Sequence, residues 1–250
     1  GKFVMYDGVI RDGYAKSVKT VKNGKVSYQR GLGGNICMSG GTLEIHGGVI
    51  KDGKAGAGGN VFADGAAEVT ITGGKITTNG SGGYLVNANG SNQNVTISNV
   101  EFTNNLSEAD KTAGGHSAPN LIYGSSVTAT ITGGTFNAEV ENKGGLITGG
   151  TFNGTLTNAY RMEIRKDEND NEVEVVTPGM IINTETPTTF TLGETFSVEK
   201  RGGTIECTSH ICDTTVTCRL CGAQIVATVT IGETTTYYLD LQAALDAAVA

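Results

Sequence analysis

Residues 45–50 read Ile45-His46-Gly47-Gly48-Val49-Ile50. The phrase returns as Ile71-Thr72-Gly73-Gly74-Lys75-Ile76, Ile131-Thr132-Gly133-Gly134-Thr135-Phe136 and Ile147-Thr148-Gly149-Gly150-Thr151-Phe152. Ile97-Ser98-Asn99-Val100-Glu101-Phe102 is the same phrase with both glycines replaced, and Met5-Tyr6-Asp7-Gly8-Val9-Ile10 is a degenerate first copy. From Ile45 onward the copies are spaced by 26, 26, 34 and 16 residues. Self-similarity on this scale marks a repeat architecture. A second phrase sits between the copies: Gly34-Asn35-Ile36-Cys37-Met38, Gly59-Asn60-Val61-Phe62-Ala63, Gly83-Tyr84-Leu85-Val86-Asn87 and Pro119-Asn120-Leu121-Ile122-Tyr123.

Each repeat therefore holds three short strands. In the one that begins at Asn35 they are Ile36–Met38, Thr42–Ile45 and Val49–Lys51. The second strand alternates cleanly. Leu43 and Ile45, Val69 and Ile71, Val95 and Ile97, and Ala129 and Ile131 face one way, whereas Glu44, Thr70, Thr96 and Thr130 face the other. In the third strand Ile50, Ile76, Phe102, Phe136 and Phe152 form an inward column. Paired glycines at the corner between these strands permit the positive φ of a sharp bend. Strands of successive repeats then stack in parallel, about 4.8 Å apart. The fold class expected is all-β: a right-handed parallel β-helix with three strands per coil.

Composition agrees. The chain has 250 residues, 38 of them Gly, with 38% hydrophobic and 6% aromatic residues. That stock is poor for a compact core but sufficient for a solenoid, whose repeats bury small apolar residues against their neighbours. Strict apolar periodicity argues against disorder, and the absence of a G-x-y period excludes collagen. No run of about 18 apolar residues predicts a membrane span. No signal peptide is visible, and the first residues already read as the middle of a repeat. A net charge of −7 without aromatic platforms speaks against nucleic acid as a partner.

The first strand leaves a question open. Ile36, Val61, Leu85 and Leu121 are apolar, and so are their neighbours Cys37, Phe62, Val86 and Ile122. One of the two columns must face outward. It is either covered by a loop or left as an exposed apolar stripe for binding or self-association, with Phe62 in it. Asn35, Asn60 and Asn120 recur before this strand and are expected to be structural, bonding the backbone of adjacent repeats. Two insertions, Tyr14–Arg30 and Thr103–Ala118, emerge from the same corner. The first carries Lys16, Lys19, Lys22, Lys25 and Arg30 with no acid, and its Asn23-Gly24 predicts a tight hairpin. Residues 1–33 carry +5 against −12 for the remainder. That asymmetry makes the loop a candidate contact for an anionic surface partner, or else a solvated hairpin that keeps the molecule soluble.

The Gly-Gly phrase ends near Gly154. Residues 1–156 are assigned to the β-helix, 157–204 to a β-rich cap or linker, 205–224 to a Cys/His module, and 225–250 to a strand–strand–helix that opens a further domain. The helix would bury Leu241, Ala244, Leu245 and Ala248. Four of the five cysteines lie within 207–221. Cys207-x-x-His210 and Cys218-x-x-Cys221-Gly222 have the two-residue spacing of zinc ligands, with a glycine that frees backbone amides for sulfur. Cys212 complicates the assignment. One structural zinc on Cys207, His210, Cys218 and Cys221, disulfides, and free thiols all remain open from spacing alone.

The runs Phe3-Val4-Met5-Tyr6-Asp7-Gly8-Val9-Ile10-Arg11-Asp12-Gly13 and Cys37 to Gly53 resemble coils of large β-helical surface proteins of Gram-positive gut bacteria. Gly-Gly-Asn-Ile, Gly-Gly-Asn-Val and Phe102-Thr103-Asn104-Asn105 are also similar to the repeats of chlamydial polymorphic outer-membrane adhesins. The resemblance covers roughly residues 3–153. It implies the β-helical fold, an extracellular or cell-surface location, and adhesion or glycan contact with a host or bacterial surface partner. The Cys/His module and the segment from Tyr238 resemble elements that link or open repeats in the same surface proteins.

Polysaccharide lyases and glycoside hydrolases also use β-helices. Those chemistries need clustered carboxylates or calcium ligands on one face. Here Asp64, Glu68, Glu101 and Glu139 fall on different repeats and strands, and no nucleophile has an evident base. The reading is a non-catalytic binding or scaffold module, with the carbohydrate-active enzyme as the alternative.

Overall fold

The computed structural model describes residues 1–249 except 30, 66, 79–85, 90–92, 105–120, 124–126, 186–187 and 213–215. The chain is mostly β, and its sheets are long and parallel. The second strands of the repeats form one eight-stranded sheet: Lys2–Met5, Gly41–Ile45, Ala67–Ile71, Gln93–Ile97, Val127–Ile131, Leu146–Ile147, Met180–Asn183 and Thr204–Cys207. The third strands form a seven-stranded sheet from Val9–Arg11 to Phe190–Leu192. Every pairing in both sheets is parallel.

Register places like on like. Met5, Ile45, Ile71, Ile97, Ile131, Ile147, Ile181 and Ile205 occupy one column. From Ile45 to Ile181 that column is almost wholly buried. The third-strand column runs Ile10, Ile50, Ile76, Phe102, Phe136, Phe152 and Leu192. Its rings stack face to face: Phe102 on Phe136 at 5.5 Å and Phe136 on Phe152 at 4.8 Å between centroids. A one-residue slip would turn each strand's apolar set to solvent, which is why register is so firmly specified here.

The glycine pairs act in two different ways. The second glycine takes positive φ, as in Gly48 (+81°), Gly74 (+88°) and Gly134 (+110°). The first lies against the repeat before it: a Cβ on Gly47 would sit 2.2 Å from the carbonyl oxygen of Tyr6, and one on Gly73 would sit 2.3 Å from that of His46. In the phrase that lacks glycine, the left-handed residue moves one place, to Asn99 (φ +45°). Asn tolerates that conformation far better than a β-branched residue does.

The first strands Ile36–Met38, Val61–Asp64, Val86–Asn89 and Leu121–Tyr123 form a parallel four-stranded sheet. One expectation is corrected there, and one open question is decided. Val86, not Leu85, pairs with Val61. This register keeps Ala88 in the column of the fully buried Ala63, where the alternative would set Asn87. Phe62 is only 4% exposed, so it offers no apolar stripe to a partner, while Cys37 beside it in the register is exposed.

The parallel pairing also passes the expected boundary at residue 156. Met180–Asn183, Phe190–Leu192 and Thr204–Cys207 extend the two long sheets, and Ser197–Arg201 pairs in parallel with Thr155–Lys166, as does Val140–Lys143. The connection from Asn183 to Phe190 is longer than the earlier corners, whereas Gly202-Gly203 alone joins Ser197–Arg201 to Thr204–Cys207, with Gly202 at φ +82°. An antiparallel arm interrupts these additions, Tyr160–Lys166 against Glu172–Pro178. The last elements are an antiparallel hairpin, Ala227–Ile231 with Thr234–Tyr238, and a helix, Leu241–Val249. Asp240 accepts the amide of Ala243 at the helix start. Of the expected apolar face, Ala244 is buried, whereas Leu241 and Leu245 are more than half exposed. Among the described residues no helix is long and apolar enough to cross a membrane.

Candidate metal centre

Cys207 closes the last strand of the eight-stranded sheet, and the chain then turns so that His210 folds back over it. The second ligand pair comes from a knuckle. Gly222, at φ +80°, follows Cys221 and donates its amide to the carbonyl of Cys218 at 2.8 Å. The amides of Ile211 and Cys221 point at the Cys218 sulfur, and that of Ala223 at the Cys221 sulfur. Such N–H donors stabilise thiolates.

The four donor atoms lie within 4.8 Å of one another and could hold a metal ion. Nδ1 of His210 is 3.5 Å from Sγ of both Cys207 and Cys221, and the sulfurs of Cys207 and Cys218 are 3.9 Å apart. No disulfide joins them, since a bonded pair would lie about 2.05 Å apart. Cys212 stands outside the group and in no disulfide. The Cys207 thiol is pushed up by its contact with Cys218 and by burial, while that contact and the surrounding amides pull Cys218 down. Cys218 and His210 are buried.

The module is seated on the end of the parallel sheets. Leu220, Ile225 and Cys218 share one apolar core with Phe190, Phe196 and the isoleucine column. The Arg219 guanidinium donates to the carbonyls of Leu192 and Gly193 and lies 6.0 Å from the Phe196 ring centroid. Lys200 donates to the carbonyl of Cys221 at 2.6 Å, and Asn183 donates to that of Ser209.

Other expected residues sit far from this centre in the fold. Lys19, Lys22 and Lys25 lie on a two-stranded hairpin, Val18–Lys22 against Lys25–Gln29, exposed on both faces. Asn23 and Gly24 at its tip both have positive φ, as an Asn-Gly turn requires. Lys22 and Lys25 pair across the strands; Lys19 pairs with Tyr28 and points to the other face. Lys16 lines a groove at the hairpin's base. Arg30, His116 and Asn120 lie outside the described residues. Asn35 and Asn60 are structural: Asn35 donates to Oδ1 of Asn60 and to the carbonyl of Lys51, and Asn60 donates to that of Thr77. A second ladder, Asn142 to Asn158 at 2.9 Å, went unread in the sequence.

One polar relay was also missed. Thr72 Oγ1 is 2.7 Å from Nδ1 of His46, whose Nε2 is 3.3 Å from Glu44. Glu44 also binds Lys2 at 2.7 Å, and Tyr6 stacks on the imidazole. These residues come from neighbouring strands and corners of one sheet, and only three-dimensional stacking brings them together. No family model, curated protein or solved structure matches the chain.

Proposed function

We propose that this chain is a right-handed parallel β-helix, three strands to a coil, whose C-terminal end is closed by a zinc-bound Cys/His module. Its role is that of a non-catalytic binding or scaffold module of an extracellular or cell-surface protein, in contact with a surface glycan or protein. The observation that carries the reading is the unbroken isoleucine column from Ile45 to Ile205, with parallel partners at every step. Parallel strands joined by crossovers are right-handed almost without exception.

Zinc is favoured by donor type and spacing. A tetrahedral ion with bonds of about 2.3 Å to sulfur and about 2.0 Å to nitrogen sets sulfurs about 3.8 Å apart, and sulfur and nitrogen about 3.5 Å apart. The separations here are 3.9 Å and 3.5 Å. Three cysteines and one histidine, with no open position, form a structural rather than a catalytic set. The basic hairpin is the proposed contact for an anionic surface partner through Lys22 and Lys25.

Incubation with a panel of neutral and acidic polysaccharides tests the role. Retention without new reducing ends or unsaturated products supports a binding module. Release of either product supports a lyase or hydrolase instead. Elemental analysis of protein purified without chelator tests the cap, with about one zinc per chain expected.

A further inference from the structure

Two antiparallel arms leave the stack of parallel strands. The first is the hairpin Val18–Lys22 with Lys25–Gln29, in the repeat that begins with Lys2–Met5. The second is Tyr160–Lys166 with Glu172–Pro178, which leads into Met180–Asn183. In the eight-stranded sheet Lys2–Met5 is the first strand and Met180–Asn183 the seventh. Six strand spacings therefore put about 29 Å between the repeats from which the arms grow.

Both arms turn an apolar face to solvent. Register sets Val21 opposite Val26 and Lys19 opposite Tyr28, so these four share one face, and Lys22 and Lys25 lie on the other. Val21, Val26 and Tyr28 are all more than half exposed. In the second arm Met162 stands opposite Val176 and Ile164 opposite Glu174, with Lys166 and Glu172 at the outer end of the same face. Ile164 and Val176 are more than half exposed, and Met162 is half exposed. A two-stranded arm is marginally stable on its own in water, so a cover over its apolar face stabilises it.

Charge divides the arms in opposite senses. Residues 18–29 hold three lysines and no acid, whereas residues 160–178 hold three basic and six acidic residues. The cations of the acidic arm are already engaged: Arg161 and Arg165 pair with Glu163, and Lys166 pairs with Asp170. Glu172 and Glu174 enter no ion pair among the described residues. On the hairpin, the Lys19 ammonium lies 5.9 Å from the Tyr28 ring centroid, at the edge of the apolar face. Each apolar face thus carries charge of one sign at its rim, and the two signs are opposite.

We propose that copies of this chain associate head to tail, the hairpin of one lying face to face on the acidic arm of the next. Val21, Val26 and Tyr28 cover Met162, Ile164 and Val176, and Lys19 meets Glu172 and Glu174. Two hairpins, or two acidic arms, would bring like charges together, which disfavours a symmetric pair. The contact is heterologous, so each copy in a row still offers one arm of each kind, and rows grow or close into rings. The faces are small, so one contact is weak and gains strength where copies are held close together. This association goes beyond the anionic surface partner of Lys22 and Lys25, which lie on the hairpin's other face.

Sedimentation velocity of the whole chain decides it. At about 0.05 M salt the sedimentation coefficient should rise between about 0.01 and about 1 mM protein, and rise less at about 0.5 M salt, where exposed charges are screened. Val21→Thr with Val26→Thr removes the hairpin's apolar face, and Ile164→Thr with Val176→Thr removes that of the arm; Thr keeps the preference for a strand. Each double variant should weaken association about tenfold or more. A mixture of the two should form pairs that stop at two chains, because only one intact hairpin and one intact arm can meet. Lys19→Glu, which leaves both apolar faces alone, should weaken association in the same direction. Monomers at every concentration, or association that both double variants keep, would overturn the proposal. Association lost in one double variant and kept in the other would assign the contact to two like arms and overturn it as well. A monomeric chain that still binds acidic polysaccharide would overturn self-association and leave the surface contact of Lys22 and Lys25 standing.

Discussion

Asn60 has no exposed surface, and its carboxamide is bonded at both ends: it accepts from Asn35 and from the amide of Gly53, and donates to the carbonyl of Thr77. The residue thus ties its own repeat to the one before it, beside the backbone bonds that the amides of Asn35 and Ile36 make to its carbonyl. Replacing it with Ala strands a buried amide and a buried carbonyl. Each such group costs about 1–3 kcal/mol. Asn60→Ala should therefore lower stability by about 3 kcal/mol, measured as a shift of the urea midpoint at unchanged slope. A loss near zero would show that the ladder contributes nothing.

At the scale of the element, the aromatic stack and the basic hairpin are opposites. Phe136 is wholly buried between Phe102 and Phe152 in the third-strand column. Truncation there leaves a cavity that β-strands pinned on both sides cannot collapse. Phe136→Ala should cost about 3–5 kcal/mol and also lower the near-ultraviolet circular dichroism of the stacked rings. The hairpin Val18–Gln29 buries nothing: Val18, Val21, Val26 and Tyr28 are all more than half exposed. Replacing residues 18–29 by a short glycine linker should leave the melting temperature within about 2 °C, since ordinary surface changes stay within about 0.5 kcal/mol. A larger fall would mean that the hairpin supports the repeats beneath it.

For the whole molecule, on the reading proposed above, the candidate metal site is the last contact of a one-dimensional stack. Stability in such architectures is a sum of repeat terms and neighbour terms, so an end can fray while the middle holds. Cys207 belongs to the terminal strand itself, and the module's Leu220 and Ile225 cover the same core. Stripping the metal with a chelator should speed hydrogen exchange in Thr204–Cys207 and Met180–Asn183 but leave Gly41–Ile45 unchanged. Uniform acceleration would mean that the chain melts as one unit. Acid should act in the same direction. Metal ligands must be deprotonated, so the contribution of a metal bound there would be present at neutral pH and would disappear as protons compete for sulfur and imidazole. Release of the ion, followed with a colorimetric chelator, should therefore coincide with loss of protection at that end as pH falls.

The columns were legible in the sequence because alternation along a strand is local: Leu43 and Ile45, or Val69 and Ile71, declare their face by spacing alone. The four candidate metal ligands were legible for a similar reason, the members of each pair being separated by two residues within their own turn. Glycine marked the corners where backbone meets backbone. Tertiary structure decided the rest. It excluded Cys212 from the donor set, buried Phe62 where two adjacent apolar residues gave no sense of direction, and set Val86 rather than Leu85 beside Val61. It carried the parallel sheets on to Cys207, beyond the last Gly-Gly phrase. It also assembled the relay of Glu44, His46 and Thr72 from residues of different repeats. Strand faces follow from neighbours in the chain. Which strand lies on which, and what their outer faces share, follows from contacts between residues tens of positions apart.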